Sequence, residues 1–104
     1  KANDLYSTQV GRNIYLAEVM YQEEIRLNPL HRKAWCELAY VQGKIGKLVE
    51  AEKNATHHLA SINPVFNIDS GYCYQVRSDI YKSLGEPSKA ATDAARAKAR
   101  GYTP

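Results

Sequence analysis

The chain nearly repeats itself at an interval of 39 residues. An aromatic residue, a small residue, a glycine and an alanine recur in the same order: Trp35, Ala39, Gly46 and Ala51, then Tyr74, Ser78, Gly85 and Ala90. Small residues let two helices approach closely, and a glycine can end the first of them in a left-handed turn. The interval therefore predicts two helical hairpins built to one plan and stacked, with the aromatic residues filling the space between neighbouring hairpins.

Length and composition are those of a single small domain. The 104 residues suffice for one domain or for three units of about 34 residues. The net charge of +3 is too small to favour a nucleic acid as partner. No apolar run approaches the ~18 residues of a transmembrane helix, so no transmembrane segment is expected.

Apolar spacing and turn residues predict helices throughout the chain. The expected helices are Asp4–Val10, Ile14–Leu27, His31–Gly43, Leu48–Ile62, Gly71–Leu84 and Lys89–Ala99. Gly11 is expected to end the first helix. Asn28-Pro29 and Asn63-Pro64 are expected to stop two others, because the residue before a proline avoids the helical region. The expected N-caps are Asn13, either Asp69 or Ser70, and Ser88.

These residues resemble the tetratricopeptide repeat family, whose pattern is an aromatic residue, Leu, a small residue, Gly, Ala and Pro at set offsets. The second unit matches through Trp35, Leu38, Ala39, Gly46, Ala51, Ala55 and Pro64. The third unit matches through Tyr74, Ser78, Tyr81, Gly85, Ala90, Ala94 and Ala97. The first unit keeps only its second half, in Ala17, Tyr21, Ile25, Leu27, Asn28 and Pro29.

The resemblance implies an all-α, right-handed superhelical stack of about three such hairpins. It divides a single domain of residues 1–104 into units at about 1–29, 30–64 and 70–104. Two residues depart from the pattern, since Gln42 stands where Tyr is usual and Arg77 where Leu is expected. A six-helix bundle without repeat ancestry is the alternative architecture.

Members of this family usually bind extended or helical peptides in a concave groove made by the first helix of each unit. Carried over by register, the resemblance places in that groove Lys33, Cys36, Tyr40, Lys44, Tyr72, Gln75, Asp79 and Lys82. Interleaved lysines and tyrosines suit a peptide that carries acidic and apolar groups. The alternative is that these residues are solvated surface side chains.

Catalytic and cofactor motifs are missing from the sequence, so a non-catalytic protein without cofactor or metal is expected. His57 and His58 are adjacent on a helix and would point in different directions, which does not suit chelation. Cys36 and Cys73 are expected to stay reduced. Four basic residues make the last helix basic and are interpreted as a solvated outer face: Lys89, Arg96, Lys98 and Arg100.

The expected function is that of an interaction scaffold or adaptor that binds a peptide segment. One alternative is an accessory repeat segment of a larger enzyme or of a secretion or assembly machine, because Lys1 rather than Met opens the chain and suggests an excised piece. A second alternative is a self-assembling scaffold, since the ends of a stack expose apolar helix faces. The sequence does not identify a partner or a compartment.

Overall fold

Five α-helices account for nearly all of the chain that can be described. The computed structural model describes residues 10–30, 32–61 and 68–102. Its helices are α1 (Val10–Leu27), α2 (Arg32–Ile45), α3 (Leu48–Ser61), α4 (Ile68–Ser83) and α5 (Pro87–Ala99). These residues contain no strand and have a radius of gyration of 13.7 Å, so the expectation of an all-α, compact chain is confirmed.

The helices pack in the order in which they follow along the chain. Each helix contacts the next one, and α2 also contacts α4. Two residues separate α2 from α3, and three separate α4 from α5, so each of these pairs forms a helical hairpin. The buried core lies where the two hairpins meet and contains Cys36, Ala39, Ala51, Ala55, Cys73, Val76 and Ile80.

The turns of the two hairpins have the same geometry. Gly46 and Gly85 adopt left-handed φ angles of +99° and +77°, which confirms the prediction that a glycine caps each first helix. The N–H of Lys47 donates to the Gln42 carbonyl at 2.9 Å, and the N–H of Glu86 donates to the carbonyl of Tyr81 at 2.9 Å. The 39-residue interval of the sequence is thus reproduced in backbone hydrogen bonds.

Small residues allow close contact inside each hairpin. Ser78 and Ala90 are both buried, and the Ser78 hydroxyl donates to the Ala90 carbonyl at 2.7 Å. Ala39 and Ala51, their counterparts in the first hairpin, are completely buried in the core. These contacts confirm that small residues at positions 39 and 78 bring the two helices of a hairpin together.

The aromatic residues of the repeat lie outside the buried core. Trp35 is half-buried, donates from Nε1 to the Pro29 carbonyl at 3.0 Å and stacks on His57 with ring centroids 3.9 Å apart. Tyr74 is half-buried as well, and the guanidinium of Arg96 lies 5.6 Å from its ring centroid. His57 and Arg96 are also 39 residues apart. Each ring therefore contacts the second helix of its own hairpin, and Trp35 also contacts Pro29 of the preceding unit.

The end of helix α1 agrees with the prediction, and its start does not. Helix α1 passes through Gly11 and Asn13, so Gly11 does not end a helix and Asn13 is not an N-cap. A glycine inside a helix costs about 1 kcal/mol relative to alanine, which packing of the rest of the helix offsets. Helix α1 ends at Leu27, directly before Asn28-Pro29, as predicted. The first short helix expected before Val10 and the Asn63-Pro64 stop fall outside the described residues.

The starts of the last two helices also differ from expectation. Helix α4 begins at Ile68, which places Asp69 and Ser70 inside it and not at its N-cap. Helix α5 begins at Pro87 with Glu86 as N-cap, so Ser88 is already helical. Proline is favoured at the first helical position because its fixed φ suits the helix and its missing N–H is not needed there.

Candidate functional site: a cleft between two helices

A cleft of about 80 Å³ opens between α2 and α4. Its lining is Tyr40, Gly43, Lys44, Leu48, Val76, Asp79, Ile80 and Ser83. The aliphatic residues among these give it an apolar lining, and the tyrosine and the two charged residues add polar groups. Sites for drug-sized ligands run to about 300–1,000 Å³, so this cleft has room for about one side chain and not for a cofactor.

Gly43 explains why α2 and α4 can approach so closely beside the cleft. A Cβ built at this position would lie 3.4 Å from Cγ1 of Ile80, which is already van der Waals contact. A larger side chain would push Ile80 aside or fill the cleft. The glycine therefore fixes the shape of the apolar lining.

Opposite charges lie on the two helices that form the cleft. Lys44 Nζ on α2 lies 5.4 Å from the ring centroid of Tyr40, a cation–π contact. On α4, Asp79 accepts a hydrogen bond from Nε2 of Gln75 at 3.2 Å. These contacts orient a cation on one wall and an anion on the other.

Tyr72 lies on α4, one helical turn before Val76 of the cleft lining. Its ring is half-buried and lies 5.9 Å, centroid to centroid, from that of Tyr102. Burial raises the pKa of the Tyr72 phenol, and the charge of Glu37, with which it hydrogen-bonds, raises it further. Tyr21 of α1 also donates to Glu37, at 3.4 Å. Glu37 therefore connects α2 to α1 and to α4.

The eight residues predicted for the groove do not all lie in it. Tyr40, Lys44 and Asp79 line the cleft together. Lys33 and Lys82 are exposed but are not part of its lining, and the remaining two polar residues of α4, Tyr72 and Gln75, are half-buried beside it. 

Cys36 requires a correction. It is 1 % exposed and belongs to the core, so its side chain does not reach the cleft. It shares a helical stripe with Tyr40, but α4 covers the stripe at Cys36 and leaves it open one turn later.

Five lining residues were missed by sequence reasoning, namely Gly43, Leu48, Val76, Ile80 and Ser83. Val76 and Ile80 are four residues apart on α4 and flank Asp79, so an apolar pair beside a predicted groove residue was the signal available. Leu48 lies at the start of α3, at the edge of the cleft.

A second cleft, of about 250 Å³, lies between α4 and α5, and its lining includes Arg77, Lys89 and Arg96. Its cations are paired within the protein. Arg77 makes a two-pronged salt bridge to Asp93, with Nε–Oδ2 2.7 Å and Nη2–Oδ1 3.0 Å. Arg96 also contacts Asp93, at 3.4 Å, and Lys89 contacts Glu86 at 3.1 Å. This pairing favours a structural role for the cleft over capture of an anion.

A glutamate carboxylate joins each hairpin to the helix that precedes it: Glu18 is buried, and Glu52 is half-buried. Nε2 of Gln42 donates to Glu18 at 3.2 Å, and the Tyr81 hydroxyl donates to Glu52 at 2.9 Å. Gln42 and Tyr81 are 39 residues apart, and the two glutamates are 34 apart. The unusual Gln42 is thus explained, because its amide makes on α1 the contact that a tyrosine makes on α3.

Glu18 makes stability depend on pH. Lys47 Nζ donates to Glu18 at 2.9 Å, and this hydrogen bond, followed by that of Gln42, holds the pKa of Glu18 below its usual 4.5 against the opposing effect of burial. Because the folded-state pKa is lowered, the stabilisation is complete above the unfolded-state pKa and is lost as pH falls through the folded-state pKa. We expect Glu18→Gln to cost about 1 kcal/mol near neutral pH, since Lys47 is partly exposed.

The measurement is urea unfolding of wild type and Glu18→Gln from pH 7 to pH 3. The difference in unfolding free energy should be constant above about pH 5 and shrink on acidification below it. A difference that does not change with pH would mean that the Glu18 charge contributes nothing through Lys47.

His57 and His58 are neighbours on α3 but differ in exposure. His57 is exposed while His58 is buried, which confirms that the two point in different directions. Cys36 and Cys73 are buried free thiols. Among residues 10–30, 32–61 and 68–102 there is no cluster of three or more metal-binding side chains. In the same part of the chain, no helix combines the length and apolarity needed to cross a membrane.

Comparison with protein-family models, with curated proteins and with solved structures gives no match to this chain. The resemblance to tetratricopeptide repeats therefore rests on the residues quoted above, and any function is argued from the clefts and contacts of this molecule.

Proposed function

We propose that this protein is a non-catalytic interaction domain that binds a peptide segment in the groove between α2 and α4. We further propose that its architecture is a right-handed stack of tetratricopeptide-like hairpins. The observation that carries the proposal is the cleft, which combines an apolar lining with Tyr40, Lys44 and Asp79.

The packing order supports the stacked architecture. In helical repeat proteins each unit contacts only its neighbours, and a groove forms along one set of helices. Here α2 and α4, the first helices of the two hairpins, contact each other and hold the cleft between them. The repeated turns at Gly46 and Gly85 and the repeated contacts to Glu18 and Glu52 add a common geometry to this order.

The chemistry of the cleft indicates the kind of peptide. An aliphatic side chain would fill the space between Val76 and Ile80 and lose its contact with water. A neighbouring carboxylate of the peptide would meet Lys44, and an amide or cation would meet Asp79. Tyr40 would cover the peptide from the side, a role that suits an aromatic ring with a polar tip.

Tyr40→Ala tests the groove. Peptides selected from a randomised display library on wild-type protein are titrated against wild type and the variant by fluorescence anisotropy. We expect at least tenfold weaker binding to Tyr40→Ala, because truncating a central aromatic contact costs about 1.4 kcal/mol or more. The selected peptides should share an aliphatic residue next to an acidic one.

Two matched charge reversals complete the test. Lys44→Glu should weaken the same peptides, whereas Lys98→Glu, on the exposed face of α5 and away from the cleft, should leave their affinity unchanged. Circular dichroism verifies that each variant is folded. The proposal fails if no peptide is selected, or if the selected peptides bind Tyr40→Ala and Lys44→Glu as tightly as wild type.

A further inference from the structure

Helix α1 presents an apolar stripe to solvent. Tyr15, Leu16, Val19 and Met20 are between 54 % and 60 % exposed, and their spacing places them on one face of the helix. Together they expose on the order of 400 Å² of mostly apolar surface, the size of the largest apolar patch on a typical monomer, which is often functional. Gln22 and the Glu23–Arg26 ion pair border this stripe with polar groups.

The hairpin fold does not itself require this stripe. Glu18 of α1 and Glu52 of α3 make equivalent contacts to the following helix, so positions 34 residues apart correspond. The counterparts of the stripe on α3 are Val49, Glu50, Lys53 and Asn54. Three of these four are polar: Glu50 and Lys53 are exposed, and Asn54 is half-buried and donates a hydrogen bond to Gln42. The same face of α1 is apolar at all four positions.

We propose that α1 pairs antiparallel with α1 of a second copy of this chain, forming a symmetric dimer. A two-fold axis level with the midpoint between residues 17 and 18 brings Leu16 of each copy against Val19 of the other. The same axis brings Tyr15 against Met20. The stripe is therefore complementary to itself in the antiparallel direction, which is the requirement for a two-fold interface.

The surface area buried between the two copies indicates how tightly they should associate. Two stripes of about 400 Å² with their polar borders bury on the order of 1,000 Å² in total, which is below the range of stable interfaces and within that of weak, reversible ones. An interface of this size with an apolar centre and a polar border is expected to associate in about the micromolar range. This dimer does not depend on peptide binding, because the stripe lies on α1 and the cleft lies between α2 and α4.

Sedimentation velocity of the 104-residue chain over a range of concentrations tests the proposal. Wild type should shift from monomer to dimer as concentration rises. Val19→Glu should remain monomeric at every concentration, with an unchanged helical spectrum. Val49→Glu is the matched control, since Val49 is an equally exposed valine on α3, and this variant should still dimerise.

Charge pairs test the direction of the helices. Leu16→Glu and Val19→Lys should each be monomeric alone but should associate when mixed, because position 16 of one copy faces position 19 of the other. A parallel pairing would instead associate a mixture of Leu16→Glu and Leu16→Lys. The proposal is overturned if wild type stays monomeric at several hundred micromolar, if Val49→Glu disrupts association as much as Val19→Glu, or if only the parallel mixture associates.

Discussion

Asp93→Asn is expected to lower the free energy of unfolding by about 3 kcal/mol, because it breaks a buried ion pair. Asp93 is 1 % exposed and holds Arg77 through two charged hydrogen bonds of 2.7 and 3.0 Å. The amide keeps the size of the carboxylate but leaves the guanidinium without its counter-charge in a largely buried place. Urea unfolding at neutral pH measures the loss.

Asp79→Asn is the control, because it makes the same change at an exposed position of α4 and should alter stability by about 0.5 kcal/mol or less. Replacing both partners, as Arg77→Met with Asp93→Leu, should recover much of the loss, since neither residue then leaves a buried charge. If Asp93→Asn were as mild as Asp79→Asn, the salt bridge would not be holding α4 to α5.

Ser78→Leu is expected to destabilise the protein by about 3 kcal/mol. Ser78 is fully buried, and its hydroxyl donates to the Ala90 carbonyl at 2.7 Å, so α4 and α5 have no room for a larger side chain here. Overpacking costs about 1–3 kcal/mol, and loss of the serine hydrogen bond adds about 1 kcal/mol.

The measurement is again chemical unfolding, with Ser83→Leu as the control at an exposed position of the same helix. Ala39→Leu, at the equivalent position of the other hairpin, should show a similar loss through overpacking alone. A loss below about 1 kcal/mol in Ser78→Leu would mean that the two helices can separate to admit a leucine, and that the small residue is not required.

Local backbone chemistry made part of this fold predictable. A glycine adopts a left-handed φ more readily than other residues, so Gly46 and Gly85 revealed both turns. Pro29 ended α1 at the expected place for an equally local reason. The N-caps were predicted less well. Asn13 has a side chain suited to capping, but the helical pattern continued through it, and Pro87 fixed the start of α5 one residue before Ser88.

The polar contacts between helices were not predictable in the same way. Glu18 and Gln42 are 24 residues apart, and Arg77 and Asp93 are 16 apart, so nothing local in the sequence couples them. Gln42 and Arg77 were recognised only as departures from the repeat. A charged residue on a helix is solvated in most proteins, so nothing distinguished Glu18 or Asp93 from surface residues.

The residues of the candidate site could likewise be predicted only in part. Three of its residues, Tyr40, Lys44 and Asp79, could be predicted because helical register places them on facing surfaces. Cys36 lies on the same stripe as Tyr40 and yet is buried, because exposure there depends on how far α4 extends over α2. Register alone does not contain that information.

The serial packing of the helices has a consequence for how the protein comes apart. Helix α1 has one neighbouring helix, α2, among the described residues, whereas α4 contacts three others. When each helix is held mainly by its neighbour, local unfolding can begin at one end of the stack and pass from one helix–helix contact to the next. Acid that protonates Glu18 weakens the contact between α1 and α2. At low pH, amide hydrogen exchange would then be fastest in α1 and slower in each helix that follows it, so the helices would open one after another.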